Sequence, residues 1–206
     1  MKKALFLDRD GTIIKEMMST APAGDKSKYV TGVDHVELID GADKAIASAK
    51  EAGFKVIVIT NQAAIARGWI TEETLNLVNQ KMYDLLTQHH PDAIIDDLYY
   101  SPYHIDGIIE KFKIDSPMRK PGIGMVLEAQ KKHNIDFSES YFVGDTYEDM
   151  QTADKAGIKK ILVMTRFGEI AYRKCLDEKL KINFIAKNLL EAVNFIIATD
   201  SQIRKI

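Results

Sequence analysis

The sequence predicts an α/β protein, a doubly wound parallel sheet with helices on both faces, and three observations predict it. Lys55-Val56-Ile57-Val58-Ile59-Thr60 is a continuous β-branched run, the pattern of a strand buried on both sides in a parallel sheet. Short strand patterns alternate with helical ones, which is the order of a βαβ series. The apolar runs close in polar residues, where such folds place their ligands.

Ala4 to Leu7 is a short apolar run and reads as the first strand. Ala42 to Ala52 places Ala45, Ile46 and Ala49 on one helical face and is followed by Gly53, a residue suited to ending a helix. The strand Lys55 to Thr60 comes next. Thr71 can cap a helix whose first turn carries Glu72 and Glu73 and whose apolar stripe is Leu75, Val78, Met82, Leu85 and Leu86. Asp97 to Ser101 reads as a strand, Ile123 to His133 as a helix and Tyr141 to Val143 as a strand. Asp149 to Ala156 reads as a helix, with Asp149 more suited to capping it than to binding metal. Lys160 to Thr165 reads as a strand, a helix lies between Ala171 and Leu180, Phe184 to Ala186 is a short strand, and Leu189 to Ala198 is a last helix. Two stretches, 17–28 and 101–121, look irregular and both follow strands, so the expectation is one domain over 1–206 with two loop elaborations.

Composition excludes several classes. The chain has 206 residues, 46% of them hydrophobic, enough to bury roughly 70% of its unfolded surface around one core. Its 28 basic and 30 acidic residues give a net charge of −2 without a long block of either sign, so no footprint for nucleic acid or an anionic membrane is expected. Cys175 is the sole cysteine, which rules out an intrachain disulfide and suits a cytoplasmic setting. The start Met1 to Leu7 imitates a signal peptide, yet Asp8 ends the apolar run far short of the roughly 7–15 residues such a region needs. No interface heptad is present, and a monomer is the default expectation.

The chemistry concentrates at the strand ends. Asp8-Arg9-Asp10-Gly11-Thr12 leaves the first strand at a turn that Gly11 permits and the Thr12 hydroxyl can close. One carboxylate there can attack an electrophile while the other trades a proton with the leaving oxygen. A calcium loop fails, because the positions for its glycine and its closing glutamate hold Ile13 and Ser19. A solvated acidic turn would account for this pentapeptide alone, but three further clusters accompany it. Thr60-Asn61-Gln62 offers a hydroxyl and two amides to phosphoryl oxygens. Arg119-Lys120 supplies two cations just ahead of a helix. Asp145, opening Gly144-Asp145-Thr146-Tyr147-Glu148-Asp149, ends a strand in an oxygen ligand of the kind magnesium takes.

In this order the motifs resemble the haloacid-dehalogenase-like (HAD) phosphohydrolases, over most of the chain. The strings Asp8-Arg9-Asp10-Gly11-Thr12-Ile13, Thr60-Asn61-Gln62 with Ile65-Ala66-Arg67-Gly68, and Arg119-Lys120-Pro121 resemble more closely the D-glycero-D-manno-heptose 1,7-bisphosphate 7-phosphatases and the related histidinol-phosphate phosphatases. The resemblance implies that Asp8 is the nucleophile and forms an aspartyl phosphate, and that Asp10 is the general acid and base. It implies Mg2+ held by Asp8, the Asp10 backbone carbonyl and Asp145, with Thr60 and Lys120 on the phosphoryl oxygens. Asn61, Gln62, Arg119 and Thr146 are the expected substrate contacts. The partner it implies is a small phosphorylated metabolite.

Two departures stand out. Many heptose bisphosphate phosphatases carry a zinc loop of Cys-x-His and Cys-x-Cys before the Arg-Lys pair; here Ser101, Tyr103, Ser116 and Met118 take those places, so zinc is not expected. Packing through Tyr103, Ile105, Ile108 and Phe112 is expected to hold that loop instead. Met17 to Lys28 is longer than the corresponding segment of the family, which touches substrate there. No stretch between the first two strands is long enough for a large cap domain. A nucleic-acid end phosphatase and a non-catalytic binding protein on the same scaffold are the competing readings, the first disfavoured by dispersed charge and the second by the retention of Asp8, Asp10 and Asp145.

Overall fold

The computed structural model describes residues 1–15 and 29–203. The loop expected at 17–28 therefore lies outside the described residues. Six strands form one sheet: β1 (Ala4–Leu7), β2 (Lys55–Asn61), β3 (Asp97–Ser101), β4 (Tyr141–Gly144), β5 (Lys159–Val163) and β6 (Phe184–Ala186). Their spatial order is β3-β2-β1-β4-β5-β6, and every pairing is parallel. Parallel neighbours require crossovers, and seven helices are described: α1 (Ala42–Glu51), α2 (Ala63–Ala66), α3 (Glu72–His89), α4 (Gly124–His133), α5 (Tyr147–Ala156), α6 (Gly168–Asp177) and α7 (Leu189–Ile203).

The central strand shows why its sequence does not alternate. Leu5 and Leu7 enter the core beneath α1, α3 and α7, whereas Ala4 and Phe6 enter the core beneath α4 and α5. Both faces are apolar because both are covered. β2 divides in the same way, Val56 and Val58 to one side, Ile57 and Ile59 to the other. A third cluster, built from α2, Leu75 and Phe112, lies under the loop that follows β3.

The predicted fold class and all six strands are present, with Asp97–Ser101 and Phe184–Ala186 at their expected bounds. Thr71 caps α3 by accepting from the Thr74 amide at 3.1 Å, and Leu75, Val78, Met82 and Leu86 are buried as the stripe requires. Elsewhere the ends move. β5 stops at Val163 rather than Thr165; Thr165 turns out of the sheet and its hydroxyl donates to the Gly11 carbonyl at 2.6 Å. α5 starts at Tyr147 because Thr146 is its N-cap, with Asp149 the reciprocal partner in a capping box. α6 runs earlier than expected and α7 further. The single-turn α2 has too few residues to show a period.

The Gly11 turn is closed by the backbone. The amides of Thr12, Ile13 and Ile14 all donate to the Arg9 carbonyl, which leaves the Thr12 hydroxyl out of the turn bonding expected of it. Gly11 sits at φ 82°, in the left-handed region that a side chain disfavours.

Between β3 and α4, Asp97 is a cross-link. Its Oδ2 accepts from His133 Nε2 at 2.7 Å, from the Tyr99 hydroxyl at 2.8 Å and from Lys132 Nζ at 2.8 Å. Burial alone would raise this carboxyl, but the hydrogen bonds from Lys132, His133 and Tyr99 overcome it and hold the group at about 2. A depressed folded value contributes stability above the unfolded value, lost as pH falls through the folded one. Asp97→Asn is accordingly expected to lower unfolding free energy by about 1–2 kcal/mol at neutral pH. In denaturant titrations the gap from the unaltered protein should close as pH falls from about 4 toward 2; a gap independent of pH would contradict the cross-link.

Candidate active site

β1 and β4 are neighbours in the sheet, and the chain turns away from them in opposite directions, β2 lying beyond β1 and β5 beyond β4. At such a switch in strand order the carboxyl ends of the strands open a crevice. The Asp8 amide donates to the Val143 carbonyl at 3.0 Å, so Asp8 leaves β1 held against the end of β4. A cavity of about 200 Å³ opens there, lined among others by Asp8, Asp10, Thr60, Asn61, Arg119, Lys120 and Thr146. Seven of the nine expected side chains thus share one crevice; Asp145 and Gln62 stand behind it.

Asp8, Asp145 and Asp149 are buried and each presents a carboxylate oxygen within 4.8 Å of the others. Lys120 fills the space between two of them: its ammonium lies 2.8 Å from Asp8 Oδ1 and 2.6 Å from Asp149 Oδ1, and it donates to the Ile59 carbonyl at 2.9 Å. Burial alone would strip this lysine of its proton, yet Asp149 and Asp8 raise its affinity for it, so Lys120 is the fixed positive charge of the site. Asp8 responds the other way. Burial pushes its carboxyl up to about 7; Lys120 opposes that, and Asp149 and Asp10 add to it.

This donor set fits a hard divalent cation. All three groups offer oxygen, the ligand magnesium prefers, and Gly11 leaves space beside them, since a Cβ there would run into the Asp145 carboxylate. Gly144 performs the same service for Asp149, whose carboxylate occupies the place of a Cβ. Asp149 therefore does more than cap α5. Its Oδ2 accepts from the Thr146 amide and hydroxyl, while Oδ1 faces Lys120.

Asp10 is held apart from that cluster. Arg9, with a side chain only 1% exposed, reaches both Asp10 oxygens at 2.9 to 3.2 Å and donates through Nη1 to Asn79 on α3 at 2.8 Å. Gln62 Nε2 donates to Asp10 Oδ2 at 2.8 Å and to the Thr60 hydroxyl at 2.9 Å. Asp10 and Thr60 are thus positioned by one amide. Asn61 clamps the peptide of Lys120, its Oδ1 accepting from Lys120 N at 3.0 Å and its Nδ2 donating to Lys120 O at 3.1 Å. The Thr146 hydroxyl is engaged by Asp149, and Arg119 Nη1 donates to the Tyr103 carbonyl at 3.2 Å. Of the four expected substrate contacts, the cavity keeps the cation of Arg119 at its wall, and the amides of Asn61 and Gln62 bond to protein.

Sequence reasoning left out Arg9, Asn79, Asp149 as a member of the carboxylate cluster, and the cavity residues Tyr29, Glu148 and Phe167. Asp149 carried a signal in its place four residues after Asp145, one helical turn on. Asn79 carried none, since only the packing of α3 brings it to Arg9.

The loop after β3 is held differently from the expected packing. Ile105 and Ile108 are 63% and 75% exposed. Tyr103 does stack edge-on against Phe112, with centroids 6.1 Å apart. Phe112 is buried with Ile65, Ile70 and Leu75, as expected of it, and polar bonds supply the rest: the amides of Ile108 and Ile109 both donate to the Ala66 carbonyl, and Arg67 approaches His104 Nε2 at 3.3 Å.

Arg9→Met would leave Asp10 and the buried Asn79 without their cation. The expected cost is roughly 3 kcal/mol, read as a melting temperature lower by about 6–12 °C for a chain of this size, together with a fall in turnover. Unchanged stability would mean that Arg9 does not hold Asp10 in solution.

Comparison with known proteins agrees with this geometry. The family model described as HAD-hydrolase-like matches residues 117–192. A D-glycero-beta-D-manno-heptose-1,7-bisphosphate 7-phosphatase of Yersinia pestis is 40% identical over 163 residues, covering 79% of this chain and 80% of that protein. A D-glycero-D-manno-heptose-1,7-bisphosphate 7-phosphatase of Chlorobaculum tepidum is 36% identical over 196 residues, 93% of this chain and 92% of the relative. Among solved structures, the D,D-heptose 1,7-bisphosphate phosphatase from B. bronchiseptica, complexed with magnesium and phosphate, superposes with a TM-score of 0.78 at 27% identity, covering 96% of this chain and 99% of that one. With its Asp8-x-Asp10 pair, its buried lysine and its carboxylates at the split between β1 and β4, the chain belongs to the HAD-like hydrolases, in the family of these heptose bisphosphate phosphatases.

Proposed function

We propose that this protein is a magnesium-dependent phosphomonoesterase that removes the 7-phosphate of D-glycero-D-manno-heptose 1,7-bisphosphate through an aspartyl phosphate on Asp8. The observation that carries the reading is the pairing at the cavity: Asp8 lies against Lys120 among buried carboxylates, while Asp10, two residues on, is turned to Arg9 and Gln62 at its rim. Two carboxylates in different surroundings can divide the work of nucleophile and proton carrier. The names of the relatives supply the substrate.

An Asp8 oxygen attacks phosphorus, and the bond from phosphorus to the sugar oxygen breaks as Asp10 gives that oxygen a proton. Asp10, now ionised, takes a proton from the water that attacks the aspartyl phosphate, which returns Asp8 and releases phosphate. Lys120 and the Thr60 hydroxyl hold phosphoryl oxygens and offset their charge as the transition state forms. Gln62 keeps Asp10 and Thr60 in register, and the Asn61 clamp fixes the peptide from which Lys120 projects. Asp8, Asp145 and the Asp10 carbonyl would hold Mg2+, with Asp149 beside them, and the cation would offset the repulsion between a carboxylate nucleophile and a phosphate.

Two measurements check this reading. Phosphate release from the heptose bisphosphate and from histidinol phosphate should be compared in magnesium without added zinc, with Asp8→Asn as blank. The expected result is strong preference for the heptose and loss of at least about a thousandfold in the variant; near-normal turnover by Asp8→Asn would exclude the aspartyl phosphate. The second is calorimetric. Asp8 keeps its proton up to about pH 7, so its ionisation costs the cation-free fold stability as pH rises from about 4 through 7. A cation entering the cluster must displace that proton, so magnesium affinity should rise about tenfold per pH unit below 7 and level off above it. Affinity flat from pH 5 to 8 would mean that the cation does not meet Asp8.

A further inference from the structure

Every nitrogen of the Arg9 guanidinium has an acceptor, and one of those acceptors comes from a distant helix. Nε and Nη2 donate to the oxygens of Asp10, the next residue, while Nη1 donates to Asn79 Oδ1 at 2.8 Å. A long side chain paired with its own neighbour in water holds that neighbour weakly, because several rotamers compete. Burial and the third bond select one arrangement: Arg9 is 1% exposed and Asn79 5%. Asn79 stands on the inner face of α3, one helical turn from both Leu75 and Met82, which are buried. The helix that delivers it is therefore fixed by core packing and by the Thr71 cap. Tyr83, a turn further along, feels the Arg9 charge. The catalytic cavity is lined by other residues; Asn79 borders a separate one of about 470 Å³ with Gln80 and Tyr83.

A carboxyl that carries a proton to a leaving oxygen must stay within hydrogen-bond reach of it, and a displacement of about 1 Å can cost on the order of a hundredfold in rate. We propose that Asn79 is a positioning residue for this chemistry: acting through Arg9, it holds the Asp10 carboxyl where the departing sugar oxygen takes its proton. The proposal rests on the phosphatase reading above and adds to it a residue of α3 that lies outside the catalytic cavity. Gln62 steadies Asp10 from the end of β2; Arg9 and Asn79 steady it from α3. With the Asn79 amide removed, the buried Nη1 loses its acceptor, and the guanidinium swings from Asp10 to recover one. Asp8 and Lys120 are anchored separately, through Val143, Ile59 and Asn61, so the nucleophile keeps its place.

Two kinds of ester separate positioning from structure. p-Nitrophenol is acidic enough to depart without a proton, whereas a sugar hydroxyl must receive one, so a displaced Asp10 slows departure of the sugar alone. The test measures kcat/KM, which reports on events up to that departure, for D-glycero-D-manno-heptose 1,7-bisphosphate and for p-nitrophenyl phosphate in the unaltered protein, Asn79→Leu, Asn79→Ala and Asn79→Asp. Inhibition by inorganic phosphate reports on binding at Asp8 in each preparation. The expected result in Asn79→Leu is a fall on the order of 10–100-fold for the sugar ester, against less than about threefold for p-nitrophenyl phosphate, with phosphate inhibition unchanged. Asn79→Asp, which keeps an oxygen for Nη1, should recover most of that loss. Equal falls for the two esters, no fall for either, or a loss as large in Asn79→Asp as in Asn79→Leu would overturn the positioning role while leaving the phosphatase reading intact. Should Asn79→Leu not fold, the ratio in Asn79→Ala decides. Hydrolysis of neither ester by the unaltered protein would overturn the phosphatase reading and this role with it.

Discussion

The site depends on burying carboxylates. Asp8, Asp145 and Asp149 are removed from water at the end of the sheet, and each such charge costs several kcal/mol unless something answers it. Lys120 is the protein's own answer, and it is itself buried, so its three close partners are a condition of its being charged at all. Much of the surrounding structure serves to hold that ammonium in place: Asn61 grips its peptide from the end of β2, Ile59 offers the carbonyl beneath it, and the capping box of α5 fixes Asp149 opposite. Lys120 does not balance the cluster completely, since burial, with Asp149 and Asp10, keeps the Asp8 carboxyl raised against it. One buried ammonium thus serves three buried carboxylates, and the carboxyl at the end of β1 shows the remaining imbalance.

How far the sequence discloses this structure follows from which forces are local. The strand β1 was legible because a sheet covered on both faces demands apolar residues without alternation, and Ala4 to Leu7 ends at a charge. The helix α3 was legible through its cap and stripe. The residues that close the active site were legible as strand ends. Contacts that join distant segments were not. Arg9 stands between two aspartates and is among the largest fully buried side chains; its ion pair with Asp10 is local, but its other partner is Asn79, 70 residues away. Asn61 and Thr146 were legible as polar groups facing the site; the Thr146 bond to Asp149 is a local cap that spacing conveys, whereas the Asn61 bond to Lys120 depends on packing no spacing could convey.

The loop after β3 shows the same division. Ile105 and Ile108 are apolar and were expected inside, but both side chains are exposed and the amides of Ile108 and Ile109 make the attachments. The carbonyl of Ala66 at the end of α2 takes two amides from the loop. A Cβ at Gly107 would collide with Ala66, so the glycine is what lets the loop approach close enough for those bonds. The short helix supplies an acceptor, and Tyr103 and Phe112 supply a ring contact.

That attachment has a consequence for the charges around the cavity. Because the loop is moored to α2, the residues at its two ends, His104 near one and Arg119 near the other, are brought to Arg67, which α2 itself delivers. The attachment to Ala66 is therefore also what gathers positive charge beside the cavity. The two are coupled: a change that loosens Ala66 from Ile108 would also shift Arg67 against His104. The Asp8 end of the cavity is insulated from such changes, since Lys120 is fixed from below by Ile59 and from the side by Asn61. The fold thus keeps Asp8 and Lys120 at the ends of the sheet and places the arginines on the connections around it, where sequence can vary with less cost to the core.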